Sequence, residues 1–288
     1  MHYMRSLPAS ATAGVLLLAL LLAPPLAAQQ RPLVTEDPES VGSGLVLIET
    51  GFDYHRDQQF PVSGLTGHLR SVPRLGVSIG VSSIAEVQID NVSYDTLQIT
   101  GRAEAPLSRL LRVSGDTTSS WSDTVVGAKT RLLSEGGIRP GIALRFATKL
   151  PNAGNEEGIG LDTMDFYQSL LVGKTLGSVR VVANVGLGIL SDPTRGDRQN
   201  DVLTYGLSVA RAFGVGAEVV GELNGRANTR RGAPPPGTDS SGYARFGARV
   251  TRGTVRFDAA LLMGLTARDA SLGVTTGLTW VFRAIEVP

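Results

Sequence analysis

The sequence predicts an all-β fold: one transmembrane, antiparallel up-and-down β-barrel of about twelve strands. Three observations predict it. Apolar and polar residues alternate in stretch after stretch, the gaps between stretches are by turns short and long, and no internal stretch is apolar enough for a membrane-spanning helix. The alternation is clearest near the C-terminus, at residues 272–282. There Leu272, Val274, Thr276, Leu278, Trp280 and Phe282 share one side, and Gly273, Thr275, Gly277, Thr279 and Val281 the other. A strand sends successive side chains to opposite faces, so a broad apolar face is backed by a small, mostly polar one. In residues 255–265, Val255, Phe257, Ala259, Leu261, Met263 and Leu265 oppose Thr254, Arg256, Asp258 and Gly264. Apolar outside and charged inside is the pattern of a barrel wall in lipid.

Composition narrows the classes. The chain has 288 residues, 18 % charged and 42 % hydrophobic, with 35 glycines and a net charge of +1, so no global field draws it to nucleic acid. It contains no cysteine, which excludes disulfides, thiolate metal sites and a cysteine nucleophile. The histidines are His2, His55 and His68, and His2 lies in a leader, so no multi-histidine metal site is expected. No cofactor is expected.

The first 28 residues read as a cleaved secretory signal peptide. Arg5 supplies the charge, Gly14 to Leu22 the apolar run and Ala27-Ala28 the small-residue exit. Pro24-Pro25 ends a run too short to span a bilayer. Residues 29–43 are polar and acidic, with Glu36, Asp37 and Glu39 around Pro38, and are expected to be a periplasmic lead-in.

Strand patterns then follow to residue 282. Residues 45–54 set Val46, Ile48, Phe52 and Tyr54 against Glu49 and Asp53; residues 68–81 set Leu69, Leu75, Val77 and Ile79 against His68, Arg70, Arg74 and Ser78. Residues 84–91 place Glu86 and Asp90 opposite Val87 and Ile89. In residues 124–133 Lys129 and Arg131 oppose Val126, Ala128 and Leu132; in 138–150 Arg139, Arg145 and Lys149 oppose Ile142, Leu144 and Phe146. Residues 165–174 alternate weakly, whereas 178–189 set Arg180 and Asn184 against Val181, Val185 and Leu187. Residues 202–211, 215–225 and 243–250 carry Thr204 and Ser208, then Glu218, Glu222 and Asn224, then Arg245 and Arg249 on their polar faces. The gaps after even-numbered strands are short and mostly end in glycine, as at 175–177, 212–214 and 251–253. Those after odd-numbered strands are mostly long and polar, the one at 226–241 holding Pro234-Pro235-Pro236. Short turns on one rim and long loops on the other are the construction of bacterial outer-membrane barrels. Residues 92–120 are too long for an ordinary loop and predict an extracellular or lumen-entering insertion. The chain thus divides into signal peptide 1–28, lead-in 29–43, barrel 44–282 and tail 283–288.

The expected lumen-lining residues are Glu49, Asp53, Arg70, Arg74, Lys129, Arg131, Arg139, Arg145, Arg180, Glu218, Glu222, Arg245, Arg249, Arg256 and Asp258. Acids and bases fall on neighbouring strands, so pairs such as Glu49 and Asp53 with Arg70 and Arg74 would tie the wall together. Two readings fit: the charges brace a narrow lumen, or they form a constriction with a slight positive excess that admits small polar or anionic solutes. A rim hydrolase would use His55 or His68 with Asp53, Asp57 or Ser63, but no motif accompanies them, and an enzyme is not expected. Glu156, Glu157, Asp162 and Asp165 are acidic neighbours without calcium-loop spacing; Arg195-Gly196-Asp197 and the sequon at Asn91 read as coincidence.

Taken in order, several pieces resemble a known family, the outer-membrane proteins named after the meta-pathway of phenol degradation. They are Pro32-Leu33-Val34-Thr35-Glu36-Asp37, Glu49-Thr50-Gly51-Phe52-Asp53-Tyr54, Val126-Gly127-Ala128-Lys129, Leu144-Arg145-Phe146, Asn184-Val185-Gly186, Gly221-Glu222-Leu223 and Gly277-Leu278-Thr279-Trp280. The sequence departs from the family in the 92–120 insertion and in running six residues past Phe282. The resemblance implies an outer-membrane channel or transporter for small solutes, with aromatic or hydrophobic compounds among them, and carries over no site residue. The partners expected are outer-membrane lipids and lipopolysaccharide, the barrel-assembly machinery and the solute, with no nucleic acid. The alternatives are a structural or adhesive barrel with a plugged lumen, the rim hydrolase, and a soluble periplasmic lipid-binding barrel.

Overall fold

The computed structural model describes residues 31–214 and 216–284. The signal peptide, Gln29-Gln30 of the lead-in, Val215 and the last four residues of the tail lie outside the described residues. The chain forms β1 (Leu45–Phe60), β2 (Leu65–Gly80), β3 (Ala85–Arg102), β4 (Thr117–Trp121), β5 (Val125–Leu133), β6 (Gly141–Lys149) and β7 (Asp165–Leu176). It continues through β8 (Val179–Ser191), β9 (Gln199–Phe213), β10 (Ala217–Asn228), β11 (Ser241–Arg252), β12 (Val255–Gly264) and β13 (Leu272–Arg283). All pairings are antiparallel between wall neighbours, and β1 closes on β13 from Leu45↔Arg283 to Arg56↔Leu272. Twelve strands make the closed wall, and β4 stands outside it. Closure leaves no unpaired edge, the condition for a sheet to sit in hydrocarbon.

The alternation decides the faces. Phe257 is 55 % exposed while its neighbours Arg256 and Asp258 are 5 % and 7 % exposed. Phe246, Leu261, Met263 and Trp280 share the exposed outer face, and Arg249 and Thr279 the buried inner one. Apolar side chains therefore coat the cylinder, and ionised ones fill it, which removes the soluble-barrel alternative.

The short connections lie at one rim. Gly177 and Gly253 take φ of 60° and 59°, a positive region that two-residue hairpins need and that glycine enters without a Cβ clash. At the other rim β1 and β2 run further than the sequence pattern suggests and meet in a tight turn at Pro61 to Gly64. The 92–120 insertion continues β3 along β2 to Arg102 and returns as β4, which pairs with the upper half of β3 (Tyr94↔Trp121 to Gln98↔Thr117). The lower half of β3 pairs with β5. Leu65, Leu69 and Leu97 form a small buried core on the inner side of this raised sheet, covered by Leu111 and by Ile159 of the β6–β7 loop.

Candidate functional site

The lumen is occupied by the chain's own residues 31–41. Arg31, Leu33, Thr35, Glu36 and Asp37 are all buried. The segment contacts β1, β12 and β13 at Arg31, β10 at Val34 and Thr35, β5 and β6 at Glu36 and β8 at Asp37. It thereby crosses the bore from one side to the other. The expectation of a lead-in lying at the periplasmic face gives way to one folded into the barrel.

Its anchors are polar. The Arg31 guanidinium donates to Thr275 Oγ1 and to the Thr276 carbonyl, each at 2.8 Å, and lies 3.8 Å from Asp53 and 3.5 Å from Asp258. It fits there because Gly51 and Gly277, paired directly across β1 and β13, leave a slot: a Cβ at Gly277 would overlap Arg31 Nε. Glu222 accepts hydrogen bonds from the Val34 and Thr35 N–H groups and from Arg245, the last at 2.7 Å. Lys129, 1 % exposed, lies between Glu36 at 3.0 Å and Glu86 at 3.1 Å and also donates to the Asp37 carbonyl. Arg145 joins Glu36 and Asp90, each at 2.9 Å. Arg180 grips Asp37 with two nitrogens, and Arg131 pairs with Glu39. A buried charge left alone would cost several kcal/mol, so each of these pairs depends on both members being in place.

The segment's charge order explains the seat. Its acids Glu36, Asp37 and Glu39 meet the cations of β5, β6 and β8, while Arg31 meets the acids of β1 and β12. The positive excess of the bare wall is thus compensated from within. Two direct cross-strand pairs of the expected kind do form between β10 and β11: Glu218 with Arg249 at 2.6 Å and Glu222 with Arg245. Asp53 takes Arg74 at 2.9 Å, whereas Glu49 accepts from the Arg31 N–H at 3.1 Å. Arg256 sits on the inner face near Glu218, at 3.8 Å.

Two expected wall residues lie elsewhere. Arg70 is exposed on the outer face, because a bulge at Val72-Pro73 shifts the β1–β2 and β2–β3 registers and reverses the alternation above it. Arg139 belongs to the turn between β5 and β6, exposed, with its Nε donating to the Ser134 carbonyl. In that turn region Glu135 ties the β5–β6 turn to β7 and β8. Burial would raise its pKa, but the Thr175 N–H, Lys174 and Arg180 outweigh that and hold it at about 2.

Above the segment is a cavity of about 460 Å³. Arg31 to Val34 form part of its lining, with His55, Arg74, Arg145, Tyr167 and Arg245 around it and Pro32, Leu33 and Leu262 as apolar patches. Loops cover the mouth: Ser63 Oγ donates to the Gly158 carbonyl at 2.7 Å, and a second cavity of about 240 Å³ lies between the β1–β2, β6–β7 and β10–β11 loops. His55 faces inward and stacks on Tyr243, while His68 faces outward beside Tyr54. Facing opposite sides of the sheet, the two histidines build no shared catalytic pair. Among the described residues no three metal-ligating side chains are grouped; Asp165 pairs with Lys149 and Glu156 with Arg112.

Comparison with solved structures agrees with the architecture. An outer-membrane channel from Pseudomonas putida F1 superposes with a TM-score of 0.60 at 12 % identity, over 85 % of this chain and 98 % of that one. The NanC porin gives 0.48 at 9 % identity, over 83 % of this chain and all of that one. The Pseudomonas putida toluene transporter TodX gives 0.41 at 10 % identity, over 86 % and 92 %. The first of these shows the same fold, a closed antiparallel outer-membrane barrel. No family model matches the sequence, and no curated protein matches it.

Proposed function

We propose that this chain is an outer-membrane channel for small solutes whose N-terminal segment is its gate. The observation that carries the reading is residues 31–41 crossing the lumen, held to the wall mainly by ion pairs and hydrogen bonds, with Leu33 packed on Ala210 and Val220 as a small apolar contact. Such contacts exchange with water once the segment moves, so the bore can open without breaking the wall. The wall residues Glu49, Asp53, Arg74, Lys129, Arg131, Arg145, Arg180, Glu218, Glu222, Arg245, Arg249, Arg256 and Asp258 would then line the path. The cavity above the segment joins charged groups to apolar patches, which suits a small amphipathic solute, such as an aromatic compound bearing a polar group. The resemblance to the phenol-degradation family points the same way.

The filled lumen also favours a second reading, a structural barrel permanently plugged. Liposome swelling and planar-bilayer recording separate the two. A gated channel shows rare, discrete openings that become frequent when Glu36→Gln and Asp37→Asn weaken the seat. A permanent plug shows none in either form, and that result would overturn the channel reading.

A further inference from the structure

On the outer wall at the long-loop end, cations gather on one sector. Arg56 and Arg70 point away from the lumen on β1 and β2, Arg70 lying directly across from Tyr54. Among the described residues the Arg70 side chain makes no hydrogen bond or ion pair, and it is exposed. The Arg56 side chain is 62 % exposed, with Asp57 at 3.4 Å as its charged partner. His68 stands beside Tyr54, the ring centres 6.1 Å apart. This arrangement contrasts with the interior, where arginines are paired.

The surroundings set the depth. On the same sector Tyr94 and Trp121 meet edge to face at 5.5 Å, with Trp121 53 % exposed. Towards the short-turn rim, the outer face of these strands carries Phe52, Val72, Leu75 and Ile89. Apolar residues, then aromatic rings, then guanidinium groups is the order met on leaving a bilayer core. An outward arginine is costly at the midplane and tolerated near the interface, so Arg70 belongs at headgroup depth. A guanidinium fork there matches a phosphate in two hydrogen bonds.

We infer that this sector is a docking surface for the phosphorylated lipid A headgroup of lipopolysaccharide. Arg70 and Arg56 hold one phosphate, Tyr54 and the Tyr94–Trp121 pair flank the sugars, and the acyl chains lie over Phe52, Val72 and Leu75. Asp57 offsets part of the Arg56 charge, which leaves Arg70 as the principal contact. The inference rests on the outer-membrane reading with the long loops outside, and is independent of whether the lumen conducts.

The test uses the full chain in detergent, with bisphosphoryl lipid A, dephosphorylated lipid A and phosphatidylglycerol as separate probes and native mass spectrometry as the readout. Bisphosphoryl lipid A is expected to bind best, and R56Q with R70Q to weaken it about tenfold, the worth of a charge-assisted contact. Heat-modifiable migration on gels should stay that of a folded barrel, since both side chains are exposed. Equal binding of phosphorylated and dephosphorylated lipid, preference for phosphatidylglycerol, or wild-type affinity in the double variant would each overturn the inference. Failure of the membrane reading itself would show separately, as a barrel that stays soluble without detergent.

Discussion

Gly277→Ala is the sharpest probe of the gate. The new methyl group would overlap Arg31 Nε and lie 2.6 Å from Nη2, and its three nearest neighbours are all atoms of that one flexible side chain. The wall can therefore stay and the guanidinium must leave. Gly51→Ala is less clean, because its Cβ would also overlap the Thr276 carbonyl oxygen, a backbone atom of the wall. Displacing Arg31 strips Asp258, whose side chain is fully buried, of its nearby cation, and removes the hydrogen bonds to Thr275 and Thr276. Hydrogen bonds to a charged group are worth about 1.5–3 kcal/mol each, so losing one net contact of this kind should raise the segment's detached population roughly tenfold to a hundredfold. Single-channel recording reads that as open probability, and the barrel's unfolding midpoint should fall far less, because the wall ladders are intact. Wild-type open probability in the Gly277→Ala variant, with the barrel intact, would refute the seat as the gate's anchor.

Other consequences follow from the same geometry. Thr35→Cys with Gly206→Cys places two Cβ atoms about 3.3 Å apart in a chain with no other cysteine, close to disulfide spacing, so oxidation should abolish openings and reduction should restore them. Arg145→Glu should shift ion selectivity towards cations, whereas Arg139→Glu should leave it unchanged, because Arg139 lies in a turn; reversal potentials decide it. Lys129→Met leaves Glu36 and Glu86 facing each other in a dry site and should destabilise the closed form by about 3–5 kcal/mol, read from denaturant midpoints. Glu135 is held at about 2, below its ordinary 4.5, so the unfolded chain binds the extra proton. Its contribution is complete above about 4.5 and is lost as pH falls towards 2, and Glu135→Gln should flatten that limb of the acid-unfolding curve.

Twelve wall strands were legible because lipid on one side and charge on the other impose a strict period of two on every strand. Loop lengths gave the rims for the same reason: a two-residue turn leaves its mark in glycine. The lumenal seat was harder to read, although its signals are in the chain. Inward glycines such as Gly51, Gly206 and Gly277 interrupt charged faces, and the acids of residues 36–39 match the surplus cations on β5, β6 and β8. Nothing local joins them, since Arg31 meets Thr275 from 244 residues away.

By itself the sequence determined an outward apolar coat, an ionised interior and an even count of strands, because these follow from nearest-neighbour alternation. Only the tertiary structure decided that residues 31–41 fill the bore, that Arg70 turns outward at a bulge, and that Arg139 belongs to a turn. Those outcomes depend on register and on charges brought together across the cylinder, and a period of two carries neither.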